Sequence, residues 1–416
     1  MSENSTSPWP RGFWNLMFTQ FQGAFSDNAL RWLVIFLVLA LPLTTEEKDA
    51  FASHTGLLFA IPFLLFSTVG GWLADRYSKR SVMIGVKIAE VGIMLFAAWA
   101  LMIGSRPLQL AAICLMGLHS AIFAPAKYGI MPEALPAPKL SAGNGILELL
   151  TFIGIILGTF AGGWLAETLP DREGISGLLL AGLAIVGVFT ARGIARVPPA
   201  DPTRKFNWNI LGEIFSQMRT MKTDNDLWRS NWGNTAFFFI ATLIQINLAL
   251  YAKEIFHLTP TAQAWLQAAL SLGIALGSGA AGKLSRNRIE YGLIPCGTLL
   301  MALAAVALGW PGIPQSAFAV ALGVLGLGGG FFIVPVVSVL QHRPAPEIKG
   351  AVQAAASWLS WVGIAAAAIT QGQLTQILSY GQIFWVCGGV AAVAGVYVVR
   401  SRPNALPEMF ARWKKV

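Results

Sequence analysis

The chain has 416 residues, 55% hydrophobic and only 12% charged, about half the charged fraction of a soluble domain, which excludes disorder and argues against a soluble enzyme. Its three cysteines, Cys114, Cys296 and Cys387, lie far apart in apolar stretches, which excludes a disulfide framework and a thiolate zinc site. The net charge of +9 would suit a nucleic-acid binder, so the placement of that charge has to decide its meaning.

A bilayer core about 30 Å thick is crossed by about 20 mostly apolar helical residues. The polar start, Met1–Arg11, lacks a signal-peptide layout, because the apolar run after it is too long and has no small-residue cleavage site; the first helix is expected to be retained. Six apolar stretches follow at about 13–43, 52–75, 81–104, 107–132, 140–168 and 176–195. After the polar segment Val197–Trp228 come six more, at about 230–256, 262–286, 289–310, 313–340, 349–377 and 381–400. The expected organisation is an N-terminal six-helix bundle over 1–196, a cytoplasmic linker over 197–228 and a C-terminal six-helix bundle over 229–416. Ile210–Met221 in the linker has helical apolar spacing, which fits an ordinary linker helix or one lying on the membrane surface.

With both termini in the cytoplasm, 22 of the 29 basic residues fall on cytoplasmic ends and loops, and only Lys48, Arg106, Arg172 and Lys253 fall outside. That is a strong positive-inside bias. It explains the net charge as membrane topology and removes nucleic acid as a partner.

The halves repeat each other. Phe123-Ala-Pro-Ala-Lys127, followed by Pro136-Ala-Pro-Lys-Leu-Ser-Ala-Gly143, returns as Phe332-Ile-Val-Pro335, followed by Pro344-Ala-Pro-Glu-Ile-Lys-Gly-Ala351. Gly70-Gly-Trp-Leu-Ala-Asp75, ending the second helix, is echoed by Gly162-Gly-Trp-Leu-Ala-Glu167, ending the fifth on the opposite side. Nested inverted repeats within two parallel halves describe a transporter architecture.

The most specific motif joins the second and third helices: Gly71, Asp75, Arg76, Lys79 and Arg80. Gly71 permits close helix contact, and Asp75 can pair with cations or a helix N-terminus. The order resembles the gate motif between helices 2 and 3 of the major facilitator superfamily. Its second-half counterpart, Gly282-Lys283-Leu-Ser-Arg286-Asn287-Arg288, keeps the basic residues but has no aspartate. On the fifth helix Gly154, Gly158 and Gly162 form a small-residue stripe suited to packing. It is similar to the helix 5 motif of drug–proton antiporters, with Thr159 where those carry proline.

Ionisable residues inside apolar helices are costly and mark function by default. Here they are Asp27, Arg31, Lys87, Glu90, Lys127 and Glu148, with His119 a candidate core histidine. Lys87 and Glu90 stand three apart and suit a local pair, as do Asp27 and Arg31 four apart. Lys127 follows the helix-kinking Pro125; it either faces a polar pocket opened by the kink or snorkels to the interface. Glu148, one turn after Asn144, is either a site residue or a partner for Lys127. No metal cluster, nucleophile elbow or cofactor-binding pattern is visible, and with four histidines in all an enzyme is not expected.

Gln20-Phe-x-x-Ala-Phe-x-Asp27-Asn28-Ala, Pro125-Ala-Lys127-Tyr-Gly-Ile, Asn144-Gly-x-x-Glu148 and Gly329-Gly-Phe-Phe-x-Val-Pro335, with Leu340-Gln341 following, together resemble the bacterial lysophospholipid transporter branch of the major facilitator superfamily. The resemblance implies an all-α membrane protein of that fold, with 12 transmembrane helices in two six-helix bundles and nested inverted 3+3 repeats. It implies flipping of lysophosphatidylethanolamine and lysophosphatidylglycerol across the bacterial inner membrane, without a cofactor, to feed a lysophospholipid acyltransferase. It maps Asp27, Asn28, Lys127, Asn144 and Glu148 onto the polar surface of the family. Where the family carries an arginine after Thr-Leu in helix 7, this chain has Ile244, with Gln245 the nearby candidate contact. A lysophospholipid suits these residues: lysine toward phosphate, carboxylate toward ammonium, and the acyl chain left among membrane lipids. The competing reading is a proton-coupled exporter of hydrophobic drugs or other amphipathic small molecules.

Overall fold

The computed structural model describes residues 10–169, 172–286 and 288–413. The polar start before Pro10, Asn287 of the second-half motif, and the basic Lys414 and Lys415 lie outside the described residues. The described chain is helical throughout, with no strand. Its helices are α1 (Arg11–Leu39), α2 (Thr45–Arg76), α3 (Lys79–Met102), α4 (Arg106–Ala134), α5 (Leu140–Thr168), α6 (Glu173–Arg192) and α7 (Ile210–Met221). They continue as α8 (Asn225–Glu254), α9 (Pro260–Leu284), α10 (Leu293–Leu308), α11 (Gln315–His342), α12 (Lys349–Leu374), α13 (Tyr380–Ser401) and α14 (Ala405–Trp413).

Among the described residues, ten helices are long and apolar enough to cross a membrane. Of the other two expected spans, α10 is apolar but only 16 residues long. The 29-residue α1 breaks its apolar run with Gln20, Gln22, Ser26, Asp27, Asn28 and Arg31. Helix starts follow local chemistry. Thr44 Oγ1 accepts the Glu47 N–H (3.2 Å), and the Glu47 carboxylate accepts the Thr44 N–H (2.9 Å), a reciprocal cap for α2. Ser379 and Gln382 do the same for α13.

The chain forms two compact units. The first contains residues up to Leu135, Ile153–Thr220 and Pro344–Trp358; the second contains Pro136–Phe152, Met221–Arg343 and the chain from Leu359. Relative to the two sequence halves, the start of α5 joins the second unit and the start of α12 joins the first.

In the first unit α2 packs on α4 and α3 on α6. Its core includes Leu33, Val34, Met94, Ile113, Met116 and Ala184, all buried. The glycine stripe of α5 lies on α1: a Cβ at Gly158 would stand 2.3 Å from the Phe25 carbonyl oxygen, and Cβ atoms at Gly154 and Gly162 would stand 2.8 and 2.6 Å from the carbonyl oxygens of Phe21 and Ala29. Small residues are what let these backbones meet, so the stripe is a packing surface that seats the polar middle of α1. In the second unit α9 and α11 are the closest neighbours. There Tyr251 stacks on Phe318 with ring centroids 4.9 Å apart, edged by Phe256 and Phe384.

The sequence repeat has a structural counterpart. Pro125 and Pro132 interrupt α4, and Pro335 interrupts α11. Each helix is followed by a 3₁₀ turn, Ala137–Lys139 or Pro346–Ile348, that leads into the next helix. The amphipathic linker segment is α7, which buries Ile214 and leaves Leu211 and Phe215 exposed. The terminal α14 was not expected; it buries Met409 and exposes Phe410, a spacing visible in Leu406, Met409 and Phe410.

Candidate functional site

The Gly71–Arg80 motif folds around one carboxylate. Asp75 closes α2 and is fully buried. Its Oδ1 accepts the Gly350 N–H at 2.7 Å and its Oδ2 the Ala351 N–H at 2.9 Å, both at the start of α12. Those amides have no partner within their own helix, and the positive end of the helix favours an anion there. Arg204, from the linker before α7, adds an ion pair to Oδ2 at 2.5 Å. The approach is possible because both backbones carry glycine: a Cβ at Gly71 would stand 2.6 Å from Ala354 Cβ, and one at Gly350 would stand 2.4 Å from Asp75 Oδ1.

The basic residues of the motif each hold something different. Arg76 donates to the Arg204 carbonyl (2.8 Å), as does the Trp72 indole (3.1 Å). Lys79 is buried and pairs with Glu133 at 2.7 Å. Arg80 donates to the Arg192 carbonyl. Arg204 also pairs with Glu213 of α7 at 2.6 Å. Burial alone would raise the Glu213 carboxyl, but hydrogen bonds from Asn207 and Gln217, with Arg204, hold it below the usual carboxylate range. The helix N-terminus at Asp75 matches one of the two expected partners; the other partner is the linker Arg204, not a basic residue of the motif.

In the second unit a similar glycine contact forms between Gly282 of α9 and Gly145 of α5, whose Cβ would stand 2.8 Å from Gly282 Cα. Counting on from Gly282 as from Gly71, the position of Asp75 is taken by Arg286, so the glycine contact repeats without the carboxylate.

Asp27 of α1, Lys87 and Glu90 of α3 and His119 of α4 are joined in one chain of contacts within the first unit. Lys87 Nζ donates to Glu90 Oε2 (2.6 Å) and Gln22 Oε1 (2.8 Å), and Gln22 Nε2 donates to Glu90 Oε1 (2.8 Å) and Ser26 Oγ (2.8 Å). His119 Nε2 lies 3.2 Å from Glu90 Oε2, and its Nδ1 lies 3.3 Å from Ser120 Oγ. Ser120 Oγ donates to Asp27 Oδ2 at 2.7 Å. Asp27 Oδ1 is buried without a hydrogen-bond partner. The local Lys87–Glu90 pair was legible from spacing; the links through Gln22, His119 and Ser120 were not. Arg31 does not close on Asp27: it donates to Asn28 Oδ1 (3.1 Å) and lies over the Phe59 ring (5.6 Å), while Asn28 donates to the Ala24 carbonyl (2.8 Å).

Lys127 is buried, with Nζ 4.3 Å from the centroid of the Tyr128 ring. In the second unit, Asn144 is fully buried and donates to Ser338 Oγ (3.0 Å) and Gln341 Oε1 (2.8 Å), which commits its amide hydrogens. Glu148 is buried. Gln245 is exposed, and its carbonyl accepts from Gln267 (3.2 Å). Nearby, Asn247 bridges the Gln371 side chain (3.1 Å) and the Tyr380 carbonyl (2.8 Å). Among the described residues, no group of three or more His, Cys, Asp or Glu side chains could hold a metal.

The sequence pattern of the Major Facilitator Superfamily matches residues 17–368 and 232–415. The lysophospholipid transporter LplT of Klebsiella pneumoniae is 31% identical over 349 residues, covering 82% of this chain and 84% of that protein. This chain belongs to the lysophospholipid transporter family of the Major Facilitator Superfamily. LplT of Salmonella heidelberg is 30% identical over 357 residues, 82% of this chain and 83% of that protein. The fold of this transporter is that of solved superfamily members. The human organic anion transporter MFSD10 (TETRAN) matches with a TM-score of 0.80 at 15% identity, over 94% of this chain and 100% of its own. FucP matches with a TM-score of 0.75 at 12% identity, over 93% and 98%. The protein is thus a multi-pass membrane transporter rather than an enzyme.

Proposed function

We propose that this transporter moves lysophospholipids, chiefly lysophosphatidylethanolamine and lysophosphatidylglycerol, across the bacterial inner membrane by alternating access, for reacylation by an acyltransferase on the cytoplasmic side. The observation that carries the reading is the polar middle of α1, where Asp27 keeps one buried oxygen without a hydrogen-bond partner. Such an oxygen in low dielectric is costly unless a ligand meets it. Asp27 takes the ammonium of an ethanolamine headgroup, Asn28 a hydroxyl, and Lys127 the phosphate. Among the described residues, buried ionisable side chains are concentrated in the first unit, in Lys87, Glu90, His119 and Lys127 as well as Asp75 and Lys79, against Glu148 and Glu290 in the second. That lopsided polarity suits a cargo whose headgroup alone leaves the lipid phase.

Asp27→Asn is expected to slow uptake of both lipids, and that of lysophosphatidylethanolamine about tenfold more, because a hydrogen bond to a charged group is worth about 1.5–3 kcal/mol and only the ethanolamine headgroup ends in a cation. Side-by-side uptake of the two labelled lipids checks this; an equal loss for both would remove the ammonium contact. In the proposed orientation both termini are cytoplasmic, supported by the placement of basic residues. A cysteine at the exposed Thr203 is expected to react with an impermeant thiol reagent only after permeabilisation. Labelling in intact cells would reverse the topology.

A further inference from the structure

The contacts around His119 carry a requirement about protons. Glu90 already accepts from Lys87 and Gln22, so it stands near His119 Nε2 as a charge-paired carboxylate 3.2 Å away, an electrostatic contact rather than a directed hydrogen bond, since Nε2 is buried without a hydrogen-bond partner. On the other side of the ring, Ser120 Oγ lies between His119 Nδ1 (3.3 Å) and Asp27 Oδ2 (2.7 Å). A serine hydroxyl has one proton to give.

Suppose Asp27 is a carboxylate and His119 is neutral. The Ser120 proton then goes to Asp27, and the single imidazole proton has two claims on it. Placed on Nδ1 it serves Ser120 but leaves a lone pair on Nε2 facing Glu90. Placed on Nε2 it serves Glu90 but sets two lone pairs against each other at Nδ1 and Ser120 Oγ. Either way one buried contact is repulsive, which low dielectric makes expensive.

One added proton satisfies every contact, in either of two arrangements. In the first, Asp27 is ionised and His119 is an imidazolium that donates to Ser120 and is ion-paired with Glu90 without a directed hydrogen bond, while Ser120 donates to Asp27. In the second, Asp27 is a carboxylic acid donating to Ser120, Ser120 donates to Nδ1, and Nε2–H faces Glu90. They interconvert when the Asp27 proton passes to Ser120 Oγ as the Ser120 proton passes to Nδ1; no atom is gained or lost. We infer that Asp27, Ser120 and His119 form a proton-binding site in which one proton is shared between the Asp27 carboxylate and the His119 imidazole.

The surroundings leave this proton few competitors. Lys87 and Glu90 from α3 face the site; Arg31 of α1 is turned to Asn28 and Phe59, and Lys127 lies two turns along α4 against Tyr128. No charged residue lies on α2 between His54 and Asp75, on α5 from Ile153 to Ala166, or on α6 between Glu173 and Arg192. The consequence for transport rests on the headgroup reading of Asp27. An ammonium arriving at Asp27 Oδ1 stabilises the ionised carboxylate and drives the proton onto His119, so cargo binding is recorded as an imidazolium held by Glu90.

Histidine-resolved NMR on the purified protein in nanodiscs tests this, with His119→Gln assigning the resonance. In lipid-matched samples without lysophospholipid, Asp27→Asn is expected to displace the titration of His119 by about tenfold in proton concentration or more, as for strongly coupled sites. Ser120→Ala is expected to displace it too, and to remove most of the further effect of Asp27→Asn; a coupling through space alone would survive. Superimposable titrations of wild type and Asp27→Asn would overturn the shared proton. Lysophosphatidylethanolamine added to wild type at fixed pH is expected to convert neutral His119 to imidazolium. If the lysophospholipid-free displacement is found but the lipid changes nothing, the proton site stands and the headgroup role of Asp27 fails.

Discussion

Asp75→Asn is expected to cut lysophospholipid uptake about tenfold or more while leaving a folded, monodisperse protein. The carboxylate is fully buried and receives two backbone N–H groups of α12 and the Arg204 guanidinium. An amide keeps the shape but turns an NH₂ toward either the helix N-terminus or the arginine, and leaves Arg204 with Glu213 as its one ion-pair partner among the described residues. Breaking one partner of a buried pair costs about 3–5 kcal/mol, enough to shift a two-state equilibrium about a hundredfold or more. The loss falls on the arrangement in which the start of α12 is seated on α2, and cycling requires that arrangement in turn with another. A cysteine at the buried Ala355 reads the shift: it is expected to react with thiol reagent faster in the Asp75→Asn background than alone. Unchanged reactivity together with unchanged uptake would leave Asp75 a packing residue.

Lys127→Ala is expected to abolish measurable uptake, and Lys127→Arg to keep a fraction of it. A lysine snorkelling to the interface would expose its ammonium, but Lys127 is only 7% exposed, so the charge is held inside the protein and not beside it. If it meets lipid phosphate, losing it removes a charge-assisted contact worth about 1.5–3 kcal/mol, a loss of about ten- to a hundredfold in binding, and leaves the phosphate uncompensated in low dielectric. Arginine preserves the charge but changes the geometry from a point charge to a planar fork. Near-normal uptake by both variants, in protein that elutes as wild type, would take Lys127 out of the site.

Much of this architecture is legible in the sequence. The apolar runs locate the helices because a membrane helix must be apolar over most of its length, and the Ile210–Met221 periodicity places α7 to the residue. The Gly71–Asp75 order pointed to a helix N-terminus as partner. What stayed hidden is which faces meet. Arg204 lies 129 residues from Asp75 and Ser120 lies 93 from Asp27, and periodicity reports that a face is buried without saying against what. His119 read as a core histidine for the same reason. Asn144 is placed on the polar surface by the family resemblance; its amide hydrogens are taken by Ser338 and Gln341, partners that no local spacing could supply, while its Oδ1 is buried without a hydrogen-bond partner.

The most direct test is uptake of labelled lysophosphatidylethanolamine by proteoliposomes containing the purified protein. Saturable uptake is expected, competed by lysophosphatidylglycerol and lost in Lys127→Ala. Uptake no greater than in protein-free liposomes, from protein that is folded and correctly inserted, would contradict lysophospholipid transport.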